Sequence, residues 1–113
     1  MRIHLGHVGQ VPLGQGKCFI VGHHEVAVFR SRDGALFAVE NRCPHRNGPL
    51  SDGIMGDGKV VCPLHGYKFD LTTGRQIDGQ ECIKVYKVMQ EGGDIILSFD
   101  FPPIKAEQNA CAC

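Results

Sequence analysis

The chain has 113 residues, with 12 Lys and Arg balanced by 12 Asp and Glu, 15 glycines, six cysteines, six histidines and no tryptophan. At about 100–150 residues per domain this is one domain with a modest core, which leaves no room for the separate substrate domain of a large multistep enzyme. A formal net charge of zero removes the electrostatic case for nucleic acid as a partner.

The chain opens MRIHLGHVGQVP, without the apolar run of about 7–15 residues that marks a secretory signal, and nothing in it approaches the ~18 apolar residues of a membrane span. A cytoplasmic protein with no membrane partner is expected. In that compartment six cysteines beside six histidines point to metal or redox chemistry and away from disulfides. From there on, short β-rich runs recur at residues 3–8, 18–21, 25–30, 36–39, 59–61, 67–70, 83–89 and 95–99. Asp33-Gly34, Asp57-Gly58 and Gly92-Gly93 fall between such runs and predict tight antiparallel hairpins, because glycine supplies the positive φ these turns require. No helix-length pattern interrupts them. The expected fold class is all-β, an antiparallel β-sandwich or partly open barrel. Cys18 and Cys82 fall in or next to strand runs, where cysteine packs as a small hydrophobe. His4, His7, His23 and His24 have no ligand-like neighbours and read as surface or strand residues. Pro102-Pro103 ends the last strand. A single domain is expected over residues 1–103, with a site-bearing subdomain at about 41–70. Residues 104–113 read as a mobile tail, whose Cys111 and Cys113 carry no assigned role.

Two loops break the strand rhythm and repeat one chemistry: Cys43-Pro44-His45, then Cys62-Pro63-Leu64-His65. Each offers one thiolate and one imidazole, and a hairpin's worth of sequence lies between them. If that hairpin folds, Cys43, His45, Cys62 and His65 converge as the candidate metal ligands. An S₂N₂ set suits a tetrahedral zinc or an iron–sulfur cluster, and spacing alone leaves both open. The paired Cys-x-x-Cys knuckle common in structural zinc loops is absent. No nucleophile and base pair is evident, so independent catalysis has no sequence support.

At these residues the chain resembles the Rieske [2Fe–2S] proteins, whose boxes read C-x-H and C-x-x-H. The resemblance includes Gly48-Pro49-Leu50 and Gly53 after the first box, His65-Gly66-Tyr67 at the second, and Phe69-Asp70 with Thr73-Gly74 beyond it. It implies a Rieske-type antiparallel β fold with a two-loop cluster-binding subdomain and one [2Fe–2S] cluster per chain. Cys43 and Cys62 would bind one iron, and His45 and His65 the other. Two ferric ions, two sulfides and two thiolates sum to zero, so such a cluster accepts an electron more readily than one held by four thiolates.

The chain departs from the high-potential branch of the family. It carries no extra cysteine in either loop, Gly48 and Leu64 being among the residues there. Where that branch has a hydrogen-bonding Ser and Tyr, two and four residues past the second-box His, this chain has Tyr67 and Phe69. A low-potential cluster is expected, near the roughly −150 mV end of the family range. Beyond the boxes, residues 25–30, 33–34, 37–39 and 83–86 are similar to the small subunit of assimilatory NAD(P)H nitrite reductase, and soluble Rieske ferredoxins of ring-hydroxylating dioxygenases share the outline. The resemblance therefore implies a carrier of single electrons, not catalytic alone: first the small subunit of an NAD(P)H-dependent nitrite reductase working beside its large subunit, with a soluble ferredoxin serving a reductase and ring-hydroxylating oxygenase as the alternative. No small-molecule substrate of its own is expected. Arg42, Arg46, Lys59 and Lys68, with Asp52, Asp57 and Asp70, are expected to rim the docking surface.

Overall fold

The computed structural model describes residues 2–22, 24–42, 49–63, 66–77 and 79–98. Its strands are β1 (Arg2–His7), β2 (Gln15–Val21), β3 (His24–Arg30), β4 (Leu36–Glu40), β5 (Ile54–Gly56), β6 (Lys59–Val61), β7 (Lys68–Asp70), β8 (Val85–Glu91) and β9 (Asp94–Ser98). Six of them form a curled antiparallel half-barrel sheet in the order β1-β9-β8-β4-β3-β2, and β5-β6-β7 form a second, three-stranded sheet. Short 3₁₀ turns at Val8–Gln10 and Leu50–Asp52 are the helical elements among the described residues. No helix there is long and apolar enough to cross a membrane.

The run Val26-Ala27-Val28-Phe29 in β3 is buried throughout, because successive side chains of a strand point to opposite faces and both faces here meet a core. Ala27 and Phe29 join Val39, Leu50, Met55, Val60, Cys62, Phe69, Leu71 and Ile83 in the cluster that includes the small sheet. Val26 and Val28 join Ala38, Ile95, Leu97, Val8, Val11 and Val21 within the half-barrel. At about 1.5–3 kcal/mol for each fully buried Val or Phe side chain, this one strand anchors both interiors.

The three glycine turns lie where they were expected. Asp57 and Gly58 both take positive φ, 53° and 74°, and join β5 to β6 in a tight hairpin. In the β3–β4 turn the Asp33 carboxylate accepts from Ser31 Oγ and from the Ala35 amide at 3.1 Å. The Ser31 hydroxyl, followed by that amide, holds the Asp33 carboxyl below the usual carboxylate range.

Some expectations shift. Strand β5 was not foreseen, since Ile54-Met55-Gly56 has a single β-branched residue; it forms because the turn pairs it with β6 and buries Met55. The expected run at 83–89 starts as a strand only at Val85. Ile83 is a buried core residue ahead of it, and Cys82 stands in an isolated bridge to Arg75. Cys82 is disulfide-bonded, not the plain packing thiol expected. His23 and residues 99–113, the expected tail included, lie outside the described residues.

Candidate metal centre

Each loop emerges from a strand end, and its base is closed by hydrogen bonds. Beyond β4 the carbonyl oxygen of Asn41 accepts from the Leu50 amide at 3.1 Å, and its Oδ1 accepts from the Ser51 amide at 2.7 Å. Arg42 and Pro49 form a β-bridge immediately inside that closure. The 3₁₀ turn that follows is completed by the Asp52 amide donating to Pro49 O at 3.0 Å and the Gly53 amide to Leu50 O at 2.9 Å. At the second loop, the Cys62 amide donates to Tyr67 O at 2.7 Å and the Gly66 amide to Cys62 O at 3.0 Å. Gly66 has a φ of 73°, which suits glycine.

Gly53 joins the two bases. A Cβ there would sit 2.1 Å from Val61 O and 3.1 Å from Leu50 O, so only a glycine lets the exit of the first loop press against the residue before Cys62. Leu50 and Cys62 consequently share one buried cluster.

Of the four expected ligands, Cys62 is placed: its thiol is free and 0% exposed. Cys43, His45 and His65 lie outside the described residues, as do Arg46, Gly48 and Leu64. Among the described residues no group of three or more His, Cys, Asp or Glu side chains gathers to hold a metal. What the fold does bring together is the two loop bases, with Cys62 at one of them. A free, buried thiol in an apolar cluster fits an iron–sulfur group, since a thiolate ligand shielded from water is what such a cluster uses. Phe69 is fully buried in the same cluster and Tyr67 packs half-buried against it.

The expected charged rim is redistributed. Arg42 is spent on Glu25 at 2.5 Å. Lys59 and Asp57 sit at the turn end of the β5–β6 hairpin, away from Cys62, where Lys59 Nζ donates to Asp57 O at 3.3 Å. Asp70 pairs with Lys59 in register and caps the Thr72 and Thr73 amides at 2.7 and 3.1 Å. Lys68, paired with Val61, and the exposed Asp52 remain near the loop bases.

Beside the first loop, His24, Glu25, Glu40, Arg42, Lys84 and Tyr86 line a polar cleft of about 250 Å³. Burial pushes the Glu40 carboxyl up, against the Lys84 amide that donates to it at 2.7 Å. Burial, then the Glu40 charge, pushes the Tyr86 hydroxyl up to about 12. Burial, followed by Glu25, also raises the half-buried Cys18 thiol, which makes it a weak nucleophile. Asn41 and Glu25 were not singled out by sequence reasoning. The available signal was an asparagine two residues ahead of the first box.

The family model for the Rieske [2Fe-2S] domain matches residues 1–89. The chain belongs to the Rieske [2Fe–2S] domain family. The biphenyl dioxygenase ferredoxin subunit of Pseudomonas sp. (strain KKS102) is 37% identical over 95 residues, 81% of this chain and 86% of that protein. The vanillate O-demethylase oxygenase subunit of Pseudomonas sp. (strain HR199) is 34% identical over 94 residues, but this chain spans only 25% of its length. Among solved structures, an NADH-dependent nitrite reductase small subunit assigned in Mycobacterium tuberculosis superposes with a TM-score of 0.82 at 25% identity, over 88% of this chain and 96% of that one. A Rieske domain carries a [2Fe–2S] cluster, a one-electron redox group.

Proposed function

We propose that Cys43 and Cys62 hold one iron, that His45 and His65 hold the other, and that this domain carries single electrons to a terminal oxygenase. The cluster supplies one-electron redox chemistry at a potential raised by two neutral imidazoles. The chain supplies the buried thiol of Cys62 in an apolar shell, and loop bases closed by Asn41, Gly53 and the Cys62–Tyr67 bond. Residues 1–103 constitute the working domain in this reading.

The observation that carries the choice of system is the 37% identity across 86% of a dioxygenase ferredoxin subunit. The nitrite reductase reading rests on the TM-score of 0.82 to a small subunit of that enzyme class, at the lower identity of 25%. In that second system the electron would pass within a complex with a large subunit.

Two measurements test this. Metal and acid-labile sulfide analysis of anaerobically purified protein should give two irons and two sulfides per chain; zinc without sulfide would overturn the electron-transfer reading. Stopped-flow oxidation of the reduced protein by the oxygenase component of biphenyl dioxygenase, compared with a nitrite reductase large subunit, decides the system. Faster oxidation by the large subunit would transfer the assignment to nitrite reduction.

A further inference from the structure

Among the described residues Asn41 is the one polar side chain the fold buries, at 3% exposure. A buried carboxamide is tolerated only when its groups are paired, and here the pairing follows a plan. The Asn41 amide donates to Glu25 O at 3.0 Å, and Nδ2 lies 3.5 Å from Glu25 Oε1; both bonds run to β3. Its carbonyl and Oδ1 receive the Leu50 and Ser51 amides at 3.1 and 2.7 Å. Arg42, next in the chain, holds the other Glu25 oxygen at 2.5 Å.

An asparagine in a loop ordinarily caps an amide about two residues ahead, closing its own turn. The amide that Asn41 Oδ1 receives lies ten residues ahead, beyond the whole first box. The bond therefore shuts the span between 42 and 49 at its base, while the two bonds to Glu25 fix that base to a strand buried in both cores.

We infer that Asn41 is the positioning residue of the first loop: it clasps the two ends of the segment bearing Cys43 and His45 and ties them to the scaffold. The inference rests on the Rieske reading of the two boxes. A loop held at its base keeps both ligand side chains in register as the charge on the metal centre changes. An open one lets them leave.

Three forms of the cluster-loaded protein decide it: wild type, Asn41→Ala and the exchanged pair Asn41→Asp with Glu25→Gln. The exchanged pair keeps an acceptor for Ser51 and restores a donor facing position 41. The readouts are amide exchange at Leu50 and Ser51, the rate of iron loss to EDTA well below the melting temperature, and the EPR signal. Asn41→Ala should speed both Ser51 exchange and iron loss by about tenfold, as expected for one buried hydrogen bond, and the exchanged pair should return both to wild-type rates. A role in overall stability alone would lower the melting temperature and leave the iron-loss rate unmoved. The inference is overturned by wild-type iron loss in Asn41→Ala, by fast iron loss in a folded exchanged pair, or by unprotected Ser51 exchange in the wild type. That last measurement stands even where Asn41→Ala does not fold. Wild-type protein without iron or sulfide would instead sink the Rieske reading of the boxes.

Discussion

Gly53 and Val61 approach so closely that a Cβ on Gly53 would lie 2.1 Å from the Val61 carbonyl oxygen. One contact of backbone on backbone thus sets how near the two loops stand. A methyl group at residue 53 cannot be absorbed by a rotamer change, because its obstacle is main chain. Gly53→Ala should push the first loop's exit off β6 at a cost of about 1–3 kcal/mol. At about 4–8 °C per kcal/mol for a domain of this size, thermal unfolding of the apoprotein followed by circular dichroism should show a melting point lower by several degrees. An unchanged melting point would show that the two bases can separate freely.

The cysteines should divide by environment. Cys62 is free and fully buried at the base of the second loop, and Cys18 is free and half-buried in β2. Cys62→Ser should reduce iron to background, with far-ultraviolet dichroism confirming that the chain folds. Cys18→Ser should keep its full complement of iron and sulfide. Loss of iron from Cys18→Ser would force a different ligand set.

The midpoint potential should be low for the family, near ~−150 mV. Phe69 is fully buried in the cluster that holds Cys62, and its ring offers no hydrogen-bond donor to stabilise added negative charge on sulfur. Protein-film voltammetry reads this directly. A strongly positive midpoint would mean that donors from elsewhere offset the phenylalanine.

Glu40 provides a pH dependence whose sign follows from its burial. Its folded pKa is raised above the ordinary 4.5, so the native state holds a proton that the unfolded chain has released once the pH passes that value. Stability therefore falls as the pH rises through that window, and the loss persists above it. Glu40→Gln keeps an oxygen for the Lys84 amide and removes the charge from this partly buried position. It should raise the melting temperature at pH 7 and change it little near pH 3.5. Equal shifts at both values would rule out the charge as the cause.

Much of this was legible because the residues concerned act through local covalent geometry. The run at 25–30 reads as a strand from its β-branched and aromatic residues, though not as one buried on both faces, and Asp33-Gly34, Asp57-Gly58 and Gly92-Gly93 announce their turns by the φ values only such residues take readily. The two Cys-His boxes are likewise a matter of spacing along the chain. Nonlocal pairing accounts for the misses. Lys59 is three residues from Cys62 in sequence yet lies at the opposite end of β6, because a short strand carries its two ends apart. Asn41 looks like any loop asparagine until its partner proves to be Ser51. Three-residue β5 has too little sequence of its own and exists because β6 is there to pair with it.

Val28 and Phe29 are neighbours in the chain, yet they belong to different interiors. Inserting or deleting one residue ahead of Val26 would turn every following side chain of β3 through the sheet. The phenylalanine ring would be delivered to the half-barrel and the valines to the loop-bearing side, and both packings would be lost together. The length of this strand is therefore a quantity that descendants of the chain cannot adjust by single steps, however freely its exposed turns are lengthened or shortened.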